Sequence, residues 1–242
     1  MIRSLVKELL HYINLDIRRY SIENSHDLRR QQLFELLNID LVLDVGANSG
    51  QYGKQLRKGG YKGKILSFEP ITSVYNDLKN KADTDGNWDC IKTALGNSTK
   101  DIAINISKNL ASSSILEMES KHLDDAPESV YISKEIVRQT TLDNIVLSQE
   151  IYKKSNIYLK IDTQGYEMQV LTGAEQSFEY IKAIEVELSL VPLYHGQALL
   201  PEISDLLYSR GYVLYSINDV FVSKKNGQVL QIDGLFVKNE LI

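Results

Sequence analysis

Three short apolar runs, Leu41–Val45, Lys64–Phe68 and Trp88–Lys92, alternate with two helical stretches, Gln51–Arg57 and Ser73–Lys81, across short connections. No other feature limits the fold as strongly. Near-continuous apolar strands are buried on both faces, and strands joined through a helix pair in parallel with right-handed crossovers. The helices must then cover both faces of one sheet. The pattern resumes further on, with Ile157–Ile161 as strand, Gly165–Leu171 as helix onset and Ala183–Leu188 as strand. A helix over Leu199–Ser209 stops at Gly211 and leads into a strand at Tyr212–Ile217. Asn226-Gly227 predicts a type I′ hairpin turn between Phe221–Ser223 and Gln228–Leu230, and Ile232–Val237 is a last, antiparallel strand.

The middle is less regular. "DIAINIS" and "VYISKEIVRQTTL" read as strands, and the polar stretch from Ala111 to Ser129 between them reads as a mobile, lid-like excursion. Before the first strand, Leu28–Leu37 is a helical pattern with Leu33, Phe34, Leu36 and Leu37 as its core. The first residues place Ile2, Val6, Leu9, Leu10 and Ile13 at helical spacing, which suits a helix packed on the domain or one docked peripherally on a membrane or partner. The division expected is a helical segment over residues 1–38 and one α/β domain over 39–242. A net charge of -5 argues against tracking of nucleic-acid phosphates. The single cysteine, Cys90, excludes an intrachain disulfide and fits a reducing compartment. With no apolar run of spanning length and no cleavage signal, the expected location is cytoplasmic.

The turn after the first strand, "LVLDVGANSGQYG", carries the first chemistry. Gly46 and Gly50 let a ligand approach bare backbone at the start of a helix. Their G-x-x-x-G spacing lacks the G-x-G-x-x-G of dinucleotide sites and the Gly-Lys-Ser/Thr of a P-loop. Asp44 would repel a pyrophosphate and attract an ammonium. S-adenosylmethionine carries an ammonium and a sulfonium, and loop amides can meet its one carboxylate. Glu69, at the end of "ILSFEP", stands where an acid accepts both ribose hydroxyls of an adenosine.

"LVLDVGANSGQYG", "ILSFEP", "TALGN", "TTLD", "LKIDTQGYEMQVLTGA", "VELSLVPLYHGQ" and "LQIDGLFV" resemble, in order, the FkbM-type S-adenosylmethionine-dependent methyltransferases. The resemblance runs from about Leu41 to Val237. It implies a Rossmann-like class I methyltransferase fold, a mostly parallel seven-stranded sheet with a C-terminal antiparallel strand. It also implies O-methylation of a small-molecule or glycan hydroxyl, often on a sugar or glycan precursor. Asp44, Gly46, Asn48 and Gly50 carry over as the cofactor loop, Glu69 as the ribose acid and Ala94 as the adenine edge. At His195 the chain departs from the acid that the resemblance leads one to expect.

Methyl transfer to a hydroxyl needs in-line approach and a destination for the proton. Asp162 ends "NIYLKID" and Glu187 comes late in "KAIEVELSL", so both face the carboxyl ends of neighbouring strands. Asp162 can also cap the following helix, and Glu187 can be a buried partner of Lys160. His195 is a third candidate base, since an imidazole can exchange protons at physiological pH, or a surface loop histidine. No residue spacing demands a metal. A nicotinamide-dependent oxidoreductase and a non-catalytic binding module on the same fold remain the rival readings.

Overall fold

The computed structural model describes residues 10, 12–15 and 19–242. The helix expected at Ile2, Val6 and Leu9 lies outside those residues. Helix α1 (His26–Leu36) begins where the Ser25 hydroxyl accepts from the Leu28 amide, with Asp27 in the positive first turn. Its buried stripe is His26, Arg30, Leu33 and Phe34, so one helix face is apolar at its end and charged at its start.

β1 (Leu41–Val45), α2 (Gln51–Lys58), β2 (Lys64–Phe68), α3 (Thr72–Ala82) and β3 (Trp88–Ile91) follow as the spacing predicts. β4 (Ala94–Leu95), β5 (Lys100–Ser107) and β6 (Tyr131–Thr140) form a separate three-stranded sheet in the order β4-β6-β5. Between β5 and β6 lie α4 (Ser120–Asp125) and a single 3-10 turn; α5 (Leu142–Val146) and α6 (Glu150–Lys153) then lead to β7 (Ile157–Ile161). α7 (Glu167–Thr172), β8 (Ile181–Ser189), α8 (Leu200–Ser209), β9 (Tyr212–Val222) and β10 (Val229–Lys238) complete the domain.

Among the described residues the main sheet has seven strands in the order β3-β2-β1-β7-β8-β10-β9. β10 alone runs antiparallel, to both of its neighbours. This is the class I methyltransferase arrangement expected from the sequence. The order reverses between β1 and β7, and a crevice opens beyond the carboxyl ends of strands at such a point. One face of the sheet is apolar throughout, with Leu43, Leu66, Leu159, Ile184 and Phe236 in one core. The other face begins apolar, with Val42, Ile65, Tyr158, Ala183 and Leu235 against Leu33, Phe34, Leu56 and Trp88. Two residues further along each strand it turns polar, to Asp44, Ser67, Lys160 and Glu185.

Two sequence expectations are corrected. The stretch Ala111–Ser129, read as a mobile excursion, is tied into the domain. Ser114 bridges to Asn105 and Met118 to Tyr194, while Ser112, Ser129 and Asn109 share hydrogen bonds of 2.9–3.1 Å. Its polar composition serves this internal network. The turn at Asn226-Gly227 is longer than a two-residue type I′ turn. Only Gly227 takes a positive φ, +76°, and its amide donates back to the Ser223 carbonyl.

Helix α1 is locked to the sheet by Glu185. Arg30 Nη1 donates to it at 3.3 Å, Tyr52 OH at 2.7 Å and Tyr158 OH closely, with His26 Nε2 at 3.2 Å. Burial pushes the Glu185 carboxyl up, but Arg30, His26 and the tyrosine hydroxyl outweigh it and hold the group well below the usual carboxylate range. Stranding one member of a buried pair costs about 3–5 kcal/mol, far more than neutralising both. Arg30→Met should therefore lose about that much stability in urea unfolding. Arg30→Met with Glu185→Gln should recover at least half of the loss, since no buried charge is then left alone.

Candidate active site

A cleft of about 430 Å3 opens over the carboxyl ends of β1, β2, β7 and β8. Its floor starts at the glycine turn. Gly46 has φ +77°, and a Cβ there would stand 1.8 Å from the Asp162 carbonyl oxygen, so β7 passes too close for any side chain. Gly46 and Ala47 donate their amides to the Phe68 carbonyl, at 3.1 and 3.0 Å. The Asn48 amide donates to Glu69 Oε2 at 3.0 Å, and the Ser49 amide to the Asn48 side chain at 2.6 Å. The Gly50 amide is taken by the Ala47 carbonyl. In this structure these amides bond to carbonyls and side chains of the domain itself and hold the loop's shape.

Asp44 also differs from expectation. It is fully buried beneath the loop and does not line the cleft. Ser67 Oγ donates to its Oδ2 at 3.1 Å, Trp88 Nε1 donates to Ser67 Oγ at 3.0 Å, and Lys160 Nζ lies 3.8 Å from Oδ1. Burial pushes its carboxyl up, with Lys160 and the Ser67 bond opposing. Lys160 faces it across the strand register, while Oδ1 finds no hydrogen-bond partner among the described residues. Gly50 likewise lies behind the lining, as the left-handed cap of α2.

Gly46, Asn48, Glu69 and Ala94 do line the cleft, together with Asp162 and Glu187. Beside Ala94 lies an apolar slot of Ile71, Val74, Ile104 and Ile115, suited to a purine ring. Sequence reading missed Ile104 and Ile115 because β5 of the second sheet and the excursion after it bring them in. Glu69 borders the slot, with Oε1 accepting from the Ile71 amide at 2.8 Å. Burial pushes its carboxyl up to about 7, although both backbone amides pull it down.

At the other end the walls are polar. Lys160 Nζ donates to Asp162 Oδ2 at 3.2 Å, and two aspartates near its ammonium raise its proton affinity against the opposing effect of burial. Glu187 Oε2 accepts from Gln164 Nε2 at 2.9 Å and Gln231 Nε2 at 2.7 Å. Burial, then Asp162, pushes the Glu187 carboxyl well above its usual range. Asp233 stands directly across from Glu187 on β10, and burial pushes its carboxyl up to about 7. His26, Tyr52, Gln55 and Asn218 complete this end. Asp233 and Gln164 sat in the motifs "LQIDGLFV" and "DTQG"; His26 and Arg30 carried a signal only as charged residues on the buried stripe of α1.

His195 is not brought to the site. Its side chain is 83% exposed and its Nδ1 lies 3.3 Å from Glu119. The loop holding it is anchored by Gln197 Oε1, which accepts from the Leu193 amide at 2.9 Å, and this turns the imidazole outward. Among the described residues no group of three His, Cys, Asp or Glu side chains is placed to hold a metal ion. No described helix is long and apolar enough to cross a membrane.

The cleft fits S-adenosylmethionine in size, in its apolar slot and in an acid at the slot's rim. Were Glu69 to accept both ribose hydroxyls, as the resemblance implies, two charge-assisted bonds would contribute roughly 1.5–3 kcal/mol each. Glu69→Ala should weaken S-adenosylhomocysteine at least about tenfold by calorimetry. The pH dependence follows from the raised carboxyl. Between about 4.5 and 7 the folded apo chain binds the Glu69 proton and the unfolded chain does not, so this group's contribution makes stability fall as pH rises across that window. Hydroxyl donors favour the charged form, so binding should release a proton and affinity should climb from pH 6 to 8. Glu69→Gln should flatten both slopes.

A family model described as a methyltransferase FkbM domain matches residues 44–214. No curated protein matches the chain in sequence. Among solved structures, the FkbM methyltransferase from Methylobacillus flagellatus KT superposes with a TM-score of 0.51 at 13% identity over 81% of this chain. The chain spans 44% of that structure's length. The methyltransferase domain of bacterial CtHen1-C follows at a TM-score of 0.47 and 10% identity, over 90% of this chain and 98% of that one. The M. capricolum TrmK complex with S-adenosylhomocysteine gives 0.48 and 8%, over 86% and 68%. The first likeness supports the fold; the other two are too distant to carry argument. With the family match spanning more than half of the sequence, the nicotinamide-dependent reading is set aside, and the chain belongs to the FkbM family of S-adenosylmethionine-dependent methyltransferases.

Proposed function

We propose that this protein methylates a hydroxyl of a sugar or glycan precursor. The observation that carries the reading is the concentration of hydrogen-bond acceptors at the polar end of the cleft: Asp162, Glu187 and Asp233 face it from three strands, with Asn218 and Gln55 around them. Adjacent carboxylates suit vicinal hydroxyls, each of which needs an acceptor, and they disfavour an anionic acceptor by like-charge repulsion. Bound S-adenosylmethionine supplies a methyl group on a positively charged sulfur. The acceptor oxygen forms its bond to that methyl as the carbon–sulfur bond breaks, and the hydroxyl proton passes to a carboxylate, leaving a methyl ether and S-adenosylhomocysteine.

The two candidate acids differ in what surrounds them. Asp162 is held on both oxygens, by Lys160 at 3.2 Å and Gln164 at 2.8 Å, so it is fixed in place and keeps a lone pair for the acceptor hydroxyl. Glu187 has its hydrogen bonds on one oxygen only, and burial raises its affinity for a proton. In this reading Asp162 orients the hydroxyl and the pair together receives its proton. Lys160 keeps the site from accumulating the full charge of its acids.

The test is transfer of labelled methyl from S-adenosylmethionine to a panel of neutral, amino and acidic glycans. Asp162→Asn should retain S-adenosylhomocysteine binding and lose at least about a hundredfold in turnover. His195→Gln should lose less than about tenfold, because the imidazole stands in solvent beside Glu119. A reversal of the two results would return the proton-accepting role to His195. Tight binding of S-adenosylhomocysteine with no methylation of any glycan would overturn the carbohydrate reading.

A further inference from the structure

The residue between the candidate acids and the next helix is built in an unusual way. Gln164 has φ +54°, in the left-handed region that side chains other than glycine rarely adopt. The turn is held there from several sides. Glu167 Oε1 accepts from the Thr163 amide at 2.9 Å and the Gly165 amide at 3.1 Å. The Gln164 carbonyl accepts from Ser114 Oγ at 2.6 Å. Strained backbone persists where the surroundings over-determine it, and such positions gather at functional sites.

The strain aims one amide group. Gln164 Nε2 donates to Asp162 Oδ1 at 2.8 Å and to Glu187 Oε2 at 2.9 Å, while its Oε1 accepts from Tyr194 OH at 2.7 Å. The amide has two N–H groups, and each meets a different carboxylate. The inverse orientation would point a carbonyl oxygen at both acids, so the chemistry fixes the assignment. Tyr194 is fully buried and its hydroxyl also lies 3.4 Å from the Ser112 carbonyl, which joins the bridge to the segment after β5.

We propose that Gln164 is the positioning residue of the active site, holding Asp162 and Glu187 at a fixed separation through one neutral amide. This rests on the reading of those two acids as the groups that face the acceptor. A lysine or arginine could also bridge them, but its charge would weaken their pull on a proton. A neutral bridge constrains the geometry and leaves both charges available. Glu187 also gains a hydrogen bond that favours its ionised form, so Gln164 tunes that acid as well as spacing the pair.

The experiment needs no acceptor. The carboxyl carbons of Asp162 and Glu187 are titrated by carbon-13 NMR in the complex with S-adenosylhomocysteine, with Asp162→Asn and Glu187→Gln used to assign the signals. Gln164→Met, which removes both donors at similar volume, should raise the Glu187 midpoint by about one pH unit or more, a tenfold change in proton affinity. Gln164→Glu should raise the Glu187 midpoint further. Affinity for S-adenosylhomocysteine should stay within about threefold in each. Gln164→Gly suits the left-handed backbone, so it should fold even if Gln164→Met does not, with the same shift in the Glu187 midpoint. An unmoved Glu187 midpoint in a folded variant would overturn the proposal. An unmoved Glu187 midpoint with a tenfold loss of S-adenosylhomocysteine would instead make Gln164 a cofactor contact. Either result leaves the turnover test of Asp162 independent.

Discussion

A row of charges buried on one face of the sheet dictates much of what surrounds it. Strand register puts Asp44 beside Lys160, and Lys160 beside Glu185. None of the three can be left unpaired at that depth, because isolated charges in a protein interior cost several kcal/mol each. Lys160 answers Asp44, and Glu185 requires a second cation that the sheet does not supply. Arg30 brings it from α1, where it sits 5.0 Å from the centroid of the Tyr52 ring while Lys160 sits 5.3 Å from the same ring. The helix before the first strand is therefore part of the electrostatic closure of the domain. The row is balanced in charge, two acids against two bases, although Asp44 Oδ1 and Arg30 Nε find no hydrogen-bond partner among the described residues.

The next row outward is not balanced. Asp162 and Glu187 lie one step nearer the carboxyl ends of their strands, and Asp233, on antiparallel β10, is the direct cross-strand partner of Glu187. Like charges placed opposite each other destabilise a sheet. Burial adds to this by pushing Glu187 and Asp233 up toward their neutral forms. A structure selected for stability alone would not keep this arrangement, whereas one that must bind hydroxyl groups benefits from it. The same logic separates the two ends of the cleft. At Glu69 two backbone amides already bind the carboxylate, and the neighbouring wall is apolar; at Asp162 and Glu187 the ligands are side-chain amides and a lysine.

How much of this was legible in the sequence follows from the range of the forces involved. Strand and helix spacing is local, so β1, β2, β7, β8 and the helices between them fall within a few residues of their expected bounds. Gly46 was legible because its neighbours announce a sharp turn, and Glu69, Asp162 and Glu187 because strand ends converge at the point of reversal. Asp44 was misread for a physical reason. A strand-end acid after apolar residues looks available to a ligand, and nothing local reveals that Lys160, more than a hundred residues later, lies next to it in register. The same distance hides the links of Gln164 to Tyr194 and of Arg30 to Glu185. His195 was misplaced because a loop's direction depends on its anchors, here Gln197 and Glu119, and not on its sequence alone.

The origin of each wall in the chain adds a last constraint. The family match covers residues 44–214, which contains Glu69, Ala94, Asp162, Gln164 and Glu187. His26, Asp27, Arg30, Asn218, Val220 and Asp233 line the same cleft from outside that segment, on α1 and the β9–β10 pair. The apolar slot and the two acids thus belong to the framework that the family model describes, while the far wall is supplied by the two flanks of the chain. Methyl transfer has fixed requirements at the sulfur and the attacking oxygen, and these fall on the framework. In the function proposed above, recognition of the rest of an acceptor falls to this far wall. Arg30 couples the two: it lines the far wall and neutralises Glu185, so a change of acceptor wall at this position also changes the stability of the floor.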